Sequence, residues 1–170
     1  MKLTYQDLLE KMTNMEMLAI PPEKGEMGGN FSSYDRNSSY DPSTDTYSQW
    51  GANRDCDGYI RMEKDRLVAF EMEGPGVIWR IWSANPQEGH IRIYTENEQK
   101  EKMDMPFRKL FERYAYDESR VEWPANFPEL MPILSRGRNR FIPIPFNHYC
   151  KVTLDPGWGE FYHITYTKFP

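Results

Sequence analysis

Hydrophobic residues along the chain fall in short runs separated by turn residues, a pattern typical of strands. Two such runs, residues 67–72 and 77–82, flank a Gly-Pro-Gly turn at residues 73–76. Polar and apolar side chains alternate in residues 90–94, so the two isoleucines of this segment share one face. We therefore predict three strands between residues 67 and 94, the third of them half buried.

The C-terminal part continues the strand pattern. Residues 151–154 and 160–167 predict two more strands around a turn at residues 155–157. Residues 141–146 predict an extended edge segment, because its two prolines cannot donate hydrogen bonds to a central ladder. Six or so strands joined by long loops predict an all-β fold, a jelly-roll-like antiparallel β-sandwich.

The N-terminus predicts a short helix. Thr4 followed by Asp7 resembles a capping box. Apolar residues recur near helical spacing at Leu3, Leu8, Leu9 and Met12. We assign residues 1–20 to an N-terminal helical segment and residues 21–170 to the sandwich domain.

Three segments interrupt the strands. Residues 21–59 are rich in Gly, Ser, Asn, Asp and Tyr without an apolar period, which predicts a long irregular loop. Loops of this length inside a compact domain are usually functional or disordered, and the tyrosines and Trp50 favour function. Residues 105–111 predict a short helix, and the Pro-rich residues 123–132 predict a loop.

Composition narrows the range of partners. Aromatic residues make up 15% of the chain and prolines number 13, which favours strands, turns and ring-stacking surfaces over helix bundles. The net charge is −5 and no run of Lys and Arg dominates any stretch, which argues against nucleic acid and anionic membranes. Small neutral ligands fit this charge better.

The cellular setting is predicted from what the sequence lacks. No apolar stretch follows Lys2, so no secretory signal is predicted and we expect a cytoplasmic protein. No segment approaches the roughly 20 apolar residues that a membrane span needs. Cys56 and Cys150 lie far apart outside any CxxC pattern, so we expect two free thiols and no zinc site.

Several short pieces, in order along the chain, resemble glycoside hydrolase family 172, once described as a domain of unknown function. They are Ser32-Ser33-Tyr34-Asp35-Arg36, residues 53–58, residues 74–82, Ile91-Arg92-Ile93-Tyr94, residues 141–146 and residues 161–166. Each piece alone is weak, but together they span most of residues 31–166. The resemblance implies the N-terminal sandwich of a hydrolase that acts on fructo- or arabinofuranosides.

The sequence departs from the family pattern in three places. Residues 37–52 form an insertion, where the family runs almost directly from the first piece into the second. After Tyr94 the sequence reads Thr-Glu-Asn-Glu, where the family has Asp-Gly-Glu. The family's catalytic glutamates lie in a second jelly roll, in two pieces that this chain does not contain. We therefore expect the catalytic carboxylates outside this chain, and its own catalytic residues remain unassigned.

The long loop holds the candidate sugar-binding residues. Asp35 and Asp55, with Asn53 nearby, are candidates for binding sugar hydroxyls, against the alternative of a solvated turn. Arg36 and Arg80 are candidates for paired hydrogen bonds to a sugar or an active-site carboxylate. The alternative for the arginines is a structural salt bridge, for Arg36 with Asp35 or another loop acid. For Asp41 and Asp45, in the insertion, the solvated turn is favoured.

Aromatic side chains add candidates for stacking on sugar rings. These are Trp50, Trp79 and Trp82. Trp79 and Trp82 lie on one predicted strand and are expected to face opposite sides, with Trp79 in the core. The predicted substrate-binding set is Asp35, Arg36, Trp50, Asn53, Asp55, Arg80 and Trp82.

Oxygen ligands at Asn53, Asp55 and Asp57 followed by Gly58 match the first half of a calcium loop. The twelfth position is Lys64 instead of a glutamate, so an Asx-rich turn is favoured. The three histidines show no metal spacing. We predict no metal and no cofactor.

Three functional hypotheses follow. The first is an enzyme part that supplies substrate-binding loops and oligomer contacts to a furanoside hydrolase. The second is a non-catalytic carbohydrate-binding or structural jelly roll. The third, an autonomous calcium-dependent carbohydrate module, rests only on the pattern from Asn53 to Gly58. The expected partners are a furanoside or oligosaccharide and either a trimer or higher homo-oligomer or a subunit carrying the C-terminal half, with no nucleic acid and no membrane.

Overall fold

The computed structural model of the protein describes residues 4–56, 58–96, 99–112 and 128–170. Within these ranges the chain forms one α-helix, α1 (Tyr5–Thr13), and short 3-10 helices at Met15–Ala19, Phe107–Phe111 and Pro128–Leu130. The strands are β1 (Met27–Ser32), β2 (Ser39–Asp41), β3 (Thr46–Ser48), β4 (Arg61–Glu63), β5 (Arg66–Glu73), β6 (Gly76–Pro86), β7 (His90–Thr95), β8 (Met103–Pro106), β9 (Ile133–Leu134), β10 (Gly137–Arg140), β11 (Ile144–Phe146), β12 (Tyr149–Leu154) and β13 (Gly159–Lys168).

Two antiparallel sheets form the body of the domain. The six-stranded sheet has the order β1-β13-β6-β10-β9, with β11 also pairing with β6, and the five-stranded sheet has the order β4-β5-β12-β7-β8. Consecutive strands β5, β6 and β7 alternate between the sheets, as do β12 and β13. The predicted all-β, jelly-roll-like antiparallel sandwich with a short N-terminal helix is confirmed.

The core lies between the two sheets. Phe70 of β5 packs against three rings of the six-stranded sheet, with centroid distances of 5.0 Å to Phe31, 5.7 Å to Tyr166 and 6.2 Å to Phe146. Burial of one such aromatic side chain stabilises the fold by roughly 1.5–3 kcal/mol. Phe31 is the last apolar residue of β1, so this ring contact also fixes the strand that leads into the long loop.

Helix α1 begins at the predicted capping box. The Asp7 N–H donates to Thr4 Oγ1 at 3.2 Å, and the Thr4 N–H donates to the Asp7 carboxylate at 2.6 Å. Leu8 is buried, and the Tyr5 hydroxyl donates to the Pro143 carbonyl at 3.2 Å. The helix is therefore docked on the segment that leads into β11.

The long irregular loop predicted for residues 21–59 is only partly present. β1 pairs with β13 along its whole length, and β2 and β3 form a separate two-stranded hairpin. The pattern missed β1 because it is an edge strand in which only Phe31 packs against the core. The short helix expected over residues 105–111 begins later, at Phe107, because β8 occupies the preceding residues. Residues 123–127, half of the loop expected at residues 123–132, lie outside the described residues.

The expectation for Trp79 is wrong. Strand β6 skips one residue against β13, where Arg80 pairs with Thr165 but Ile78 pairs with Tyr166. This bulge lets Ile78 and Ile81 both face the core, which puts Trp79 on the outer side. The Trp79 indole N–H donates to Thr167 Oγ1 at 2.9 Å. Trp79 and Trp82 therefore share the outer face and do not point to opposite sides.

Both cysteines are free thiols, Cys56 half-buried and Cys150 buried in the core. Within the described ranges, no helix has the length and apolar character required to cross a membrane.

Candidate functional site

Two loop segments, residues 33–37 and the described residues of 52–60 (52–56 and 58–60), run side by side where β1 ends and β13 begins. The Ser33 N–H donates to the Tyr162 carbonyl at 3.1 Å, which continues the β1–β13 ladder by one residue. The Gly58 N–H then donates to the Ser33 carbonyl at 3.1 Å, and the Phe161 N–H donates to the Cys56 carbonyl at 3.0 Å. These bonds tie both segments to the sandwich.

An open cleft of about 810 Å³ lies along this pair of segments. The described residues that line it are Asn30, Phe31, Tyr34, Asp35, Arg36, Asn37, Arg54, Gly58, Tyr59 and Ile60. We call this the loop cleft. Of the predicted site residues, it brings together Asp35 and Arg36.

Asp35 connects the two segments through its carboxylate. Its Oδ1 accepts from the backbone N–H of Asn37 at 3.0 Å and from the Asn37 side-chain amide at 2.8 Å, and its Oδ2 accepts from the Arg54 N–H at 3.0 Å. Only 7% of the residue is exposed. The Asn37 N–H is the largest cause that lowers the pKa of Asp35, with the Arg54 N–H adding to it against desolvation. A carboxylate held in this state orders the loops and is a poor proton donor.

Asp55 has the reciprocal role from the second segment. Its Oδ1 accepts from the Asp35 N–H at 2.9 Å, and its backbone carbonyl accepts from the Ser33 hydroxyl at 2.7 Å. Asp55 does not line the loop cleft. Both aspartates predicted for sugar recognition are therefore used, in this structure, to clamp one loop segment to the other.

Close packing at Gly58 completes this clamp. A Cβ atom at this position would lie 1.9 Å from the Tyr34 carbonyl oxygen and 2.9 Å from the Ser33 carbonyl, so only glycine lets the segments approach this closely. The Tyr162 hydroxyl donates to the Gly58 carbonyl at 3.0 Å, and burial raises the pKa of Tyr162 to about 12. Sequence reasoning missed Ser33, Gly58 and Tyr162, although all three lie within pieces that resemble the family.

Arg36 binds backbone oxygens. Its guanidinium donates to the Ser32 carbonyl at 2.8 Å and to the Tyr34 carbonyl at 2.9 Å. Its Cζ lies 3.5 Å from the centroid of the Tyr34 ring, a cation–π contact. Among the described ion pairs none joins Arg36 to Asp35. The structural contacts of Arg36 are therefore hydrogen bonds to backbone carbonyls and not the predicted salt bridge.

The side chains that face the loop cleft combine rings with hydrogen-bond donors. Tyr34 and Tyr59 are 50% and 40% exposed, and the exposed Arg54 and Asn37 lie beside them. Exposed ring faces accept the apolar C–H face of a ligand, while guanidinium and amide groups bond its oxygens. This chemistry suits a small polar ligand with many hydroxyl groups.

Arg80 and Trp82 lie elsewhere, on the outer face of the six-stranded sheet. The Arg80 Nε–H donates to Asn139 Oδ1 at 2.9 Å, and its Cζ lies 5.9 Å from the Trp82 ring centroid and 5.8 Å from that of Phe141. Partial burial lowers the pKa of the Arg80 guanidinium. The ring of His163 stands edge-on to Trp82 at 5.1 Å.

His163 connects this outer face to the loop cleft. Its Nδ1 lies 3.2 Å from the side-chain amide of Asn30, which lines the cleft. In the amide orientation that gives both polar atoms of Asn30 a partner, its oxygen accepts from the His163 Nδ1–H and its nitrogen donates to the carbonyls of Phe31 and Ile164. Desolvation, followed by the charge of Arg80, lowers the pKa of His163. We call Trp82, Arg80, Asn139 and His163, with Asn30, the sheet strip.

The remaining predicted residues are Trp50 and Asn53. Trp50 is exposed and packs against Tyr47 beside the β2–β3 hairpin, and Asn53 is exposed near the start of the second segment. Neither residue lines the loop cleft. The structure therefore divides the predicted set into three places.

The calcium-loop pattern gives no metal geometry among the described residues. No three His, Cys, Asp or Glu side chains in those ranges come together as a candidate metal site. Asp57, the third ligand of the pattern, lies outside the described residues. The Asp55 oxygen of the same pattern accepts a backbone hydrogen bond.

The fold and the site define an antiparallel β-sandwich domain that carries a loop-built cleft beside one edge strand. Residues 24–170 match the family model of the GH172 first β-sandwich domain. The chain therefore belongs to glycoside hydrolase family 172, as its first β-sandwich domain. No curated protein matches the chain.

Proposed function

We propose that this domain is the substrate-recognition part of a glycoside hydrolase that acts on fructo- or arabinofuranosides, and that the loop cleft binds the sugar. The observation that carries the proposal is the family match over residues 24–170 combined with a cleft built from the family-like pieces. Tyr34 and Tyr59 present rings to the ligand, and Arg54 and Asn37 present donors.

The catalytic carboxylates are proposed to come from outside this domain. Retaining glycoside hydrolysis needs two carboxyl groups about 5–5.5 Å apart, one of them free to give and take a proton. Among the described residues that line the loop cleft, only Asp35 carries a carboxylate, and its two oxygens already accept three hydrogen bonds. A second domain or a partner subunit would therefore supply acid and nucleophile. The same observation fits the alternative of a non-catalytic carbohydrate-binding domain. In that case no second domain or partner subunit would supply an acid and a nucleophile.

The sheet strip is the proposed second wall of the complete site. Arg80 is half-buried, and its Nε–H donates to a neutral amide, so its terminal N–H groups can donate to a carboxylate or a sugar oxygen in addition. Trp82 lies beside it as a stacking surface, and the link through His163 to Asn30 joins the strip to the cleft.

Oligomer contacts are proposed for the N-terminal segment. The 3-10 helix Met15–Ala19 buries none of its residues against the rest of the described chain. Met15, Leu18 and Ile20 are all more than half exposed. Three large apolar side chains on one short exposed segment favour burial against another subunit, in a trimer or larger assembly or with a subunit carrying the C-terminal half.

Calorimetric titration of the chain with methyl arabinofuranoside and methyl fructofuranoside tests the cleft. We expect binding by the wild-type chain and at least a tenfold weaker affinity for Tyr59→Ala, which removes a ring from the cleft wall. Tyr47→Ala is the matched control, because this comparably exposed tyrosine lies on the hairpin and should leave the affinity unchanged. Equal affinities of the two variants, or no binding by the wild type, would contradict the proposal.

A further inference from the structure

The β2–β3 hairpin carries a row of three exposed aromatic rings. The ring centroids of Tyr40 and Tyr47, a directly opposed cross-strand pair, lie 5.0 Å apart, and those of Tyr47 and Trp50 also lie 5.0 Å apart. Trp50 is 75% exposed and the two tyrosines about half. None of the three lines the loop cleft. An exposed ring costs free energy in water, so three in a row suggest a ligand.

The hairpin is built separately from the sandwich. Its two strands pair with each other and, within the described residues, with no strand of either large sheet. Its carboxylates are engaged internally, because Asp45 accepts from the Tyr40 hydroxyl at 2.8 Å and Asp41 accepts from the Ser43 N–H at 2.8 Å and hydroxyl. Ser39 and Ser48 bond across the strands at 2.7 Å. These hydrogen bonds hold the hairpin together, and the three aromatic rings stay exposed to solvent.

The composition of residues 37–53 indicates what the rings contact. The segment contains no Lys, Arg or His, and no Leu, Ile, Val, Met or Phe. Protein interfaces are enriched in Met and Arg together with aromatic residues, and this segment has only the aromatic part. Apart from Asp41 and Asp45, whose carboxylates are bonded within the hairpin, the polar side chains of the segment are the hydroxyls and amides of Ser, Thr, Asn and Gln. Exposed rings beside neutral hydrogen-bonding groups match a neutral carbohydrate, which offers apolar C–H faces and many hydroxyls.

We infer that residues 39–50 form a second carbohydrate-binding site, separate from the loop cleft, that holds a chain of neutral sugars. Three successive rings contact more than one sugar unit, so the ligand is an oligosaccharide or polysaccharide and not a monosaccharide. Neighbouring ring planes are turned by 45° and 66° to each other, so the rings do not form the single flat platform that a crystalline chain would need, and a soluble chain is the better match. The proposed function bears only on the choice of polysaccharides to test first.

Electrophoresis through gels containing soluble polysaccharide tests this site. Linear arabinan and levan represent furanose chains, and soluble xylan represents pyranose chains. We expect the full chain to be retarded by at least one of them, and Trp50→Ala to weaken that interaction about threefold to tenfold. Trp50 lies outside both strands, so this variant keeps the Tyr40–Tyr47 pair. Trp50→Phe keeps a ring and should retain most of the retardation.

Leu9→Ala is the matched control, because this exposed apolar side chain lies on helix α1, outside the hairpin, the loop cleft and the sheet strip, and its variant should be retarded like the wild type. Three outcomes would overturn the inference. They are wild-type migration unaffected by every polysaccharide, retardation unchanged by Trp50→Ala, and retardation weakened as much by Leu9→Ala as by Trp50→Ala. The inference would also be overturned if light scattering showed that Trp50→Ala lowers the assembly mass while its retardation stays unchanged. The rings would then contact a second copy of the chain and not a carbohydrate.

Discussion

At the residue scale, Asp35 shows how one carboxylate orders a site without taking part in chemistry. Its oxygens accept from the backbone N–H groups of Asn37 and Arg54 and from the Asn37 side-chain amide, and so hold together the two loop segments that line the cleft. An aspartate in a polar loop is equally compatible with sugar recognition, and only the hydrogen-bond partners distinguish the two roles. Sequence reasoning identified the residue but not its role.

Replacing Asp35 with Asn tests the clamp through its pH dependence. The folded-state pKa of Asp35 is lowered, so its stabilisation is fully present above the unfolded pKa of about 3.9 and is lost as pH falls through the folded value. We therefore expect Asp35→Asn to have a lower Tm than wild type at pH 7 and the two Tm values to converge as pH falls below about 4. Thermal unfolding from pH 7 to pH 3 measures this difference. A gap that stays constant over the range would contradict the clamp.

Arg36 makes a second prediction at this scale. A lysine keeps the charge but cannot donate to the Ser32 and Tyr34 carbonyls in the same fork geometry. We expect Arg36→Lys to lower the free energy of unfolding by about 1 kcal/mol and to weaken furanoside binding, because Tyr34 loses its support. Urea denaturation and calorimetry measure the two effects. Arg54→Lys is the control, since its exposed side chain should affect binding alone, and an Arg36→Lys chain of unchanged stability would show that the fork is not structural.

At the scale of elements, the two loop segments depend on their close approach at Gly58. A methyl group there would meet the Tyr34 carbonyl, so Gly58→Ala should destabilise the chain by at least about 2 kcal/mol and weaken furanoside binding. Gly51→Ala is the matched control, because a Cβ at Gly51 meets no atom within 4 Å, and it should change stability by no more than about 0.5 kcal/mol. Chemical denaturation of both variants measures the difference. Similar effects at the two glycines would contradict the packing argument.

The sequence predicts those strands that bury a regular apolar face. It does not predict the strand that is held mainly by backbone pairing or the position of the bulge. β5, β6, β7, β12 and β13 coincide with predicted runs. β1 was not predicted because its stability comes from pairing with β13 and from one phenylalanine. The bulge in β6 carries no signal in an apolar run, which is why Trp79 was assigned to the wrong face.

The candidate site was predictable only in part, for a related reason. The family-like pieces identified Asp35 and Arg36, which do line the cleft. The separation of Arg80 and Trp82 from that cleft depends on strand order, because residues on β6 reach it only through β13 and β1. No local pattern contains that information.

At the scale of the whole molecule, the exposed segment around Leu18 predicts assembly. We expect light scattering of the wild-type chain to give a mass that is a multiple of 20.2 kDa. The pair Leu18→Ser and Ile20→Ser should lower that mass without unfolding the sandwich, because neither side chain is buried within it. A wild-type chain that is monomeric at all concentrations, or a mass unaffected by the two serines, would contradict this prediction.

The central claim is that this domain recognises a furanoside in the loop cleft while the catalytic carboxylates come from elsewhere. The most direct measurement is an NMR titration of the isotope-labelled chain with methyl arabinofuranoside and methyl fructofuranoside, with methyl glucopyranoside as control. We predict that one furanoside shifts the amide signals of Tyr34, Asn37, Arg54 and Tyr59, that the pyranoside does not, and that no free sugar accumulates in the sample. Furanoside-induced shifts confined to other parts of the chain, or release of free sugar by the chain alone, would contradict the account.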